Sequence, residues 1–220
     1  GIEMEIERAL GRKIWLKSGG YIVIDQTEAL VAIDVNTGRY VGKRNLEETI
    51  LKTNLEAIKE IVYQLRLRNI GGIIILDFID MEKEENREKV FAALQTALKE
   101  DRFRTTIFKI SELGLVEMTR KRVRDNLTRT LCQSCPYCEG RGTIKSTTTI
   151  CYEVFREIQR VINSTPHTRK IIVNVHPSVA DKLLDEESPF LDQLEKDLKK
   201  KIIVKADYDL HQEQYECITL

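Results

Sequence analysis

Three cysteines, Cys132, Cys135 and Cys138, stand in the run LCQSCPYCEGRG, and two of them have the spacing of a metal knuckle. Cys135 and Cys138 are three positions apart, with Pro136 between them and Gly140 and Gly142 behind, so a tight loop can turn both sulfurs toward one tetrahedral ion. Zinc takes four ligands. This neighbourhood offers two thiolates, or three if Cys132 joins, while His167, His176 and His211 all fall in later segments. The missing ligands are therefore expected from another copy of the chain, and half a metal site implies a dimer. The alternatives are ordinary reduced thiols or a redox pair. A redox Cys-x-x-Cys normally opens a helix after a strand, whereas this one runs into a Gly-x-Gly loop.

Two aspartates offer a second chemistry. Asp34 follows Leu30-Val31-Ala32-Ile33 and Asp77 follows Ile73-Ile74-Ile75-Leu76, each the first charge after an apolar run. Groups at strand ends line the crevice where α/β sheets bind ligands. Neighbouring carboxylates repel unless a cation neutralises them, and magnesium takes one or two carboxylates, keeps several waters and uses substrate phosphate for the rest. Asn36, two residues past Asp34, points to the same side if the strand continues. The plainer reading is that such residues cap turns or helices. Asp80 competes with Asp77, and Asp25 precedes a hairpin turn and reads as structural. Arg104 stands just ahead of another apolar run, where it suits a phosphate or a surface salt bridge. The stretch from Met118 to Arg124 holds Arg120, Lys121, Arg122 and Arg124, with Arg129 close behind; it suits an RNA backbone or a solvated helix face.

These groups need a scaffold that 220 residues can supply as one large domain or two small ones. A hydrophobic content of 42% supports a core, and four prolines with eleven glycines argue against disorder. Basic and acidic residues balance at 35 each, so any nucleic-acid surface must be local. Five cysteines is an odd number, and neither a secretory signal nor an apolar run of about 18 residues is visible, so a reducing cytoplasm is expected.

Periodicity predicts a mixed α/β chain. Ile2 to Leu10 reads as a short amphipathic helix, followed by three antiparallel strands around 14–16, 21–24 and 30–33. A long helix is expected from about Leu46 to Arg68, then a strand at Ile73–Leu76 whose continuous apolar run suggests burial on both faces. A helix from Lys83 to Lys99 and a strand over Thr105–Ile110 complete a layered domain ending near residue 125. Beyond the knuckle the pattern restarts: helix 150–162, strand 170–175, helices 178–184 and 190–199, and strands near 202–204 and 215–219.

Several long stretches resemble the ribonuclease E/G family: TEALVAIDVNTGRYVG (27–42), TNLEAIKEIVYQLRLRNIGGIIILDFIDM (53–81), SELGLVEMTRKR (111–122) and CPYCEGRGTIKS (135–146). The likeness covers essentially the whole chain. It implies a DNase I-like catalytic subdomain over 1–128, a zinc-link over 129–145 and a small α/β dimerisation domain over 146–220. Asp34 and Asp77 would hold magnesium, with Asn36 orienting the site; Arg104 matches an arginine of the catalytic subdomain, and the basic run, not the resemblance, makes Arg120 and Lys121, with Arg104, the candidate substrate contacts. Cys135 and Cys138 would share one zinc with a second chain, giving homodimers, with dimer or tetramer left open; Cys132 stays an unassigned third thiol. The implied activity is magnesium-dependent endonucleolytic cleavage of single-stranded RNA in rRNA maturation and mRNA turnover, leaving 5′-phosphate and 3′-hydroxyl ends. Family members begin with an oligonucleotide-binding domain embedded in an RNase H-like domain and a 5′-sensing pocket. The chain is thus expected to be the C-terminal part of a longer enzyme, weakly active or inactive by itself. A zinc-linked assembly module or a non-hydrolytic RNA-binding module is the alternative.

Overall fold

The computed structural model describes residues 1–38, 46–108, 111, 114–165 and 167–220, which fall into two units, Gly1–Gln133 and Ser134–Leu220. In the first, helix α1 (Ile2–Leu10) leads into strands β1 (Lys13–Trp15), β2 (Tyr21–Gln26) and β3 (Leu30–Asn36). Helix α2 (Leu46–Leu67), strand β4 (Gly72–Asp77), helix α3 (Glu84–Leu98), strands β5 (Thr105–Ile107) and β6 (Leu115–Arg120) and the short helix α4 (Leu127–Leu131) follow. The sheet order is β1-β2-β3-β4-β6-β5. Among the described residues of this unit only β3 and β4 pair in parallel. Parallel neighbours need a long crossover, and the 22 residues of α2 provide it.

Side-chain alternation gives this sheet two unlike faces. Ile22, Ile33, Ile74, Leu76 and Met118 point into a core shared with Ile58, Ile61 and Leu65 of α2 and with Val90 and Leu94 of α3. The opposite face is open: Trp15 and Ile73 are 61% and 51% exposed. Strand β4 is therefore not buried on both faces, as its unbroken apolar run suggests, because the helices lie on one side only. The strand expected over Thr105–Ile110 runs as Thr105–Ile107. Residues 109–110 lie outside the described residues, as do 39–42 of the first family-like stretch.

A larger difference concerns the basic stretch. Leu115 to Arg120 is a strand, with Val116, Met118 and Arg120 buried and Glu117 and Thr119 exposed. Period two overrides the helical reading, and Arg120 belongs to the inward set. Its side chain is 1% exposed; Nε donates to Asp101 Oδ2 at 2.7 Å, Nη2 to Asp101 Oδ1 at 3.1 Å and Nη1 to the Ile70 carbonyl at 2.6 Å. Arg120 is thus committed to the interior and is corrected from a substrate contact to a structural residue.

In the second unit α5 (Thr147–Ser164), β7 (Lys170–Val175), α6 (Pro177–Leu184), α7 (Ser188–Leu198), β8 (Lys201–Ala206) and β9 (Tyr215–Thr219) follow the expected order closely. The three strands are arranged β8-β7-β9, with β7 parallel to β8 and antiparallel to β9. Ser146 accepts from the Thr149 N–H to cap α5, and His176 Nδ1 accepts from the Ser178 N–H ahead of Pro177 at the start of α6. Ile150, Val154, Phe155 and Ile158 of α5 meet Ile171 and Val173 of β7 in a separate core.

The Asp101–Arg120 pair makes a stability prediction. Burial opposes charge on Asp101, but hydrogen bonds from Arg120 and the Phe103 N–H, with the Arg120 charge, outweigh it and hold the carboxyl below its ordinary range. A depressed folded pKa gives stability that is full above the unfolded value, near ~3.9, and is lost as pH falls through the folded one. Asp101→Asn should cost about 3–5 kcal/mol at neutral pH by leaving a buried guanidinium uncompensated. Urea denaturation at pH 7 and pH 3 should show the gap between wild type and variant narrowing in acid.

Candidate active site

Register brings the two aspartates together. Asp34 is the Cα partner of Asp77 in the parallel β3–β4 ladder, so their backbones are one strand spacing apart, about 4.8 Å. Both alternate with buried residues, Ile33 and Val35 on β3 and Leu76 and Phe78 around Asp77. Both carboxylates therefore project from the open face. Asn36, on the same face, donates from Nδ2 to Asp34 Oδ2 at 2.7 Å and fixes one oxygen of the pair.

The surrounding turns are shaped by close backbone approach. A Cβ on Gly20 would lie 2.7 Å from the Asn36 carbonyl oxygen. Gly38, at φ +75°, passes so near Gly19 that a Cβ would lie 2.2 Å from its carbonyl oxygen. Only glycine lets the chain leaving Asn36 settle on that hairpin. Beyond Asp77, fully buried Asn54 of α2 grips the loop from both sides: its Nδ2 donates to the Ile79 carbonyl at 2.9 Å and its Oδ1 accepts the Ile79 N–H at 3.1 Å. Glu47 then accepts from the N–H groups of Glu82 and Lys83 and from Asn86 Nδ2, joining α2 to the start of α3. Nothing in the sequence pattern singles out Asn54 or Glu47, since each looks like one more polar residue on an amphipathic helix.

Electrostatics concentrate on Asp77. Partial burial, then the charge of Asp34, then that of Asp80, raise its pKa above the ordinary carboxylate value. Asp80 thus belongs to the same acidic neighbourhood, and Asp80 Oδ1 would lie 3.0 Å from a Cβ on Gly114. Asp25 is elsewhere employed, hydrogen-bonded by the Arg12 guanidinium, as a structural residue should be. Among the described residues no group of three or more His, Cys, Asp or Glu is placed to hold a metal ion. What the sheet offers is a two-carboxylate set, sufficient for an ion that keeps waters and shares phosphate oxygens.

The expected cationic residues are not gathered there. Asp77 pairs with Leu115 at one end of β4, whereas Gly72 pairs with Arg120 at the other. Arg104 and Lys121, exposed and joined by a backbone hydrogen bond of 3.0 Å, continue from that remote end. Five residues of strand separate the two ends, about 17 Å. At the remote end Gln26, Asn69, Arg122, Arg124, Asn126 and Arg129 line a cavity of about 340 Å³.

The cysteine knuckle belongs to the second unit, while exposed Cys132 lies in the first. The N–H groups of Cys138 and Tyr137 and the Cys138 side chain direct hydrogen bonds to Cys135, lowering its thiol pKa. The Gly142 N–H points at Cys138 Sγ, 3.4 Å away. The donors around Cys135 favour its thiolate, the form that binds metal. The segment before β9 secures the loop: His211 stacks on Tyr137 with centroids 4.0 Å apart, and its Nε2 is 2.7 Å from the Tyr137 carbonyl. His211 Nδ1 accepts from the Glu213 N–H, so both ring nitrogens are engaged. Glu213 reaches Arg141 at 2.8 Å and the Lys145 N–H at 2.7 Å. Cys151 and Cys217 are different, since burial pushes each thiol up to about 11.

Comparison with known proteins adds to this geometry. Residues 1–123 match the family described as Ribonuclease E/G family, and residues 134–219 match RNase E/G, Thioredoxin-like domain. The chain is 50% identical over 219 residues to Ribonuclease G of Salmonella typhimurium (strain SL1344), covering all of this chain and 45% of the relative. It is 47% identical over 221 residues to Ribonuclease G of Haemophilus influenzae, again covering 45% of that protein. Against Ribonuclease E of Escherichia coli (strain K12) it is 40% identical over 194 residues, 88% of this chain and 18% of the relative. The chain thus spans less than half the length of these relatives.

The acidic pair yields a direct check. In Asp34→Asn the Asp77 pKa should fall part of the way toward the ordinary value, since one repelling charge goes while burial and Asp80 remain. Carboxyl 13C NMR titration measures this; an unmoved Asp77 would mean that the two groups do not share a field.

Proposed function

The chain belongs to the ribonuclease E/G family, and from that premise we propose that it carries the cutting centre of a magnesium-dependent endoribonuclease acting on single-stranded RNA. The observation that carries this reading is the in-register pair Asp34 and Asp77, side by side on an open sheet face. Burial first, and then the neighbouring charge of Asp34, raise the pKa of Asp77, which fits a site built to receive a divalent cation. Asp34 and Asp77 would hold the ion, and a bound magnesium supplies an activated water and an electrophile for the phosphate.

The protein's own groups do the positioning. Asn36 holds Asp34 in a fixed rotamer, and the Asn54 grip on Ile79 fixes the backbone just past Asp77. The open face admits a splayed single strand, which a closed pocket would not. Water oxygen forms the new bond to phosphorus while the bond to the ribose 3′ oxygen breaks, and that oxygen takes up a proton. The products are a 5′-phosphate and a 3′-hydroxyl. Arg122, Arg124 and Arg129 at the far end of the sheet, with Arg104 and Lys121 nearby, supply cations for RNA backbone away from the cut.

In the second unit Cys135 and Cys138 would take half of a zinc shell, completed by the same pair from another copy. Support comes from the sulfur-directed N–H groups and from the engaged nitrogens of His211, which leave two thiolates rather than a full set. Dimers joined in this way, and their pairing into tetramers, belong to the same reading. So does a reducing cytoplasmic setting for RNA processing. Among the described residues no helix is long and apolar enough to cross a membrane.

In the protein with its full-length neighbours, Asp34→Asn or Asp77→Asn should lower magnesium-dependent cleavage of labelled single-stranded RNA by about a hundred- to thousandfold. Thermal stability should hold, because both side chains are exposed. Wild-type turnover in either variant would remove these residues from the reaction. Separately, Cys135→Ser with Cys138→Ser should abolish bound zinc, measured by plasma emission as half an ion per chain in wild type, and shift native mass toward the monomer. An unchanged mass and metal content would end the shared-site reading.

A further inference from the structure

Trp15, Tyr21 and Lys13 occupy the same open sheet face as the carboxylates and have no part in the cutting chemistry. Lys13 pairs with Val23, Val23 with Asp34 and Asp34 with Asp77, so these four form one row across the sheet. Trp15, Tyr21 and Asn36 form the next row. Trp15 is 61% exposed, an unusual place for the chain's single tryptophan. Its ring meets Tyr21 edge to face with centroids 5.3 Å apart. The Lys13 ammonium stands 4.0 Å from the Trp15 centroid and 3.5 Å from that of Tyr21, and among the described residues no carboxylate pairs with it.

We propose that Trp15 and Tyr21 form a stacking platform for a base of the RNA strand whose phosphate reaches Asp34 and Asp77, with Lys13 meeting the backbone beside that base. The inference rests on the ribonuclease reading for the identity of the strand. Two strand spacings and two residues separate Trp15 from Asp34, about 12 Å, which is roughly one to two nucleotides of extended strand. Every base has a π-face, so an exposed aromatic ring accepts any of them, and single strands are held by this stacking combined with cations along the backbone. The carboxylate end is otherwise acidic, with Asp34, Asp77 and Asp80 together. An unpaired ammonium in the Asp34 row is therefore placed where the backbone needs a positive neighbour. Lys13 lies against the rings, so its charge and the stacking surface are presented as one unit.

Because Trp15 is the sole tryptophan, its emission reports directly. The protein is titrated in magnesium-free buffer with a twelve-residue oligouridine and with an abasic ribose-phosphate strand of equal length, with binding followed in parallel by anisotropy of end-labelled strands. Quenching by oligouridine but not by the abasic strand is expected. Trp15→Ala should weaken oligouridine binding about tenfold and Trp15→Phe much less. Lys13→Gln should reduce the slope of log K against log salt by about 0.7. Unchanged emission at saturation, equal quenching by both strands, or a Trp15→Ala protein with wild-type affinity overturns the platform; so does a variant whose native mass changes while RNA affinity stays, which would assign the patch to self-association. The two readings fail separately: the platform stands or falls on base-dependent quenching in magnesium-free buffer, whereas the nuclease reading is decided by the Asp34→Asn and Asp77→Asn cleavage assay.

Discussion

Parallel pairing of β3 with β4 sets Asp34 against Asp77, and much of the first unit can be understood as what holds that unfavourable contact in place. Two carboxylates a strand spacing apart repel each other, and that repulsion adds to partial burial in raising the pKa of Asp77. Asn36 donates to one oxygen of Asp34, and among the described residues no cation is paired with either carboxylate. The register survives because Ile33 and Val35 of β3 and Ile74 and Leu76 of β4 are buried on the other face. A one-residue slip would turn them to water and the aspartates into the core. Hydrophobic burial under the sheet thus maintains a charge arrangement above it.

That division explains what could be read from the sequence. Asp34 and Asp77 were legible because each ends an apolar run, and a strand's period of two fixes its side. The second unit was legible almost throughout, its helices and strands being separated by strong signals such as Pro177. Strand β6 was not, because a basic run invites a helical, solvated reading, while Val116, Met118 and Arg120 follow the period of a strand. Arg120 shows why charge counts mislead: the residue is cationic in sequence and interior in the fold, matched by an aspartate 19 positions away. The roles of Asn54, Glu47 and His211 depend on partners distant in sequence, and no local pattern carries that information.

The two units use different means to prepare a ligand set. Around the aspartates, backbone closeness at Gly20 and Gly38 and the Asn54 clamp fix the strand ends, while the carboxylates remain exposed. Around Cys135 and Cys138, N–H groups converge on the sulfurs, and a second segment bearing His211 and Glu213 braces the loop from outside. One arrangement leaves charge uncompensated; the other prepares it in advance.

The buried Arg120–Asp101 bond lies at the end of β6 opposite Asp77. Folding is thereby anchored at one rim of the sheet, and the paired aspartates are displayed at the other. Mutational tolerance becomes polarised along the strands. A lineage kept only for its ability to fold would retain the arginine anchor and let the acidic rim drift, whereas a lineage changing its chemistry could rewrite that rim without disturbing the keel.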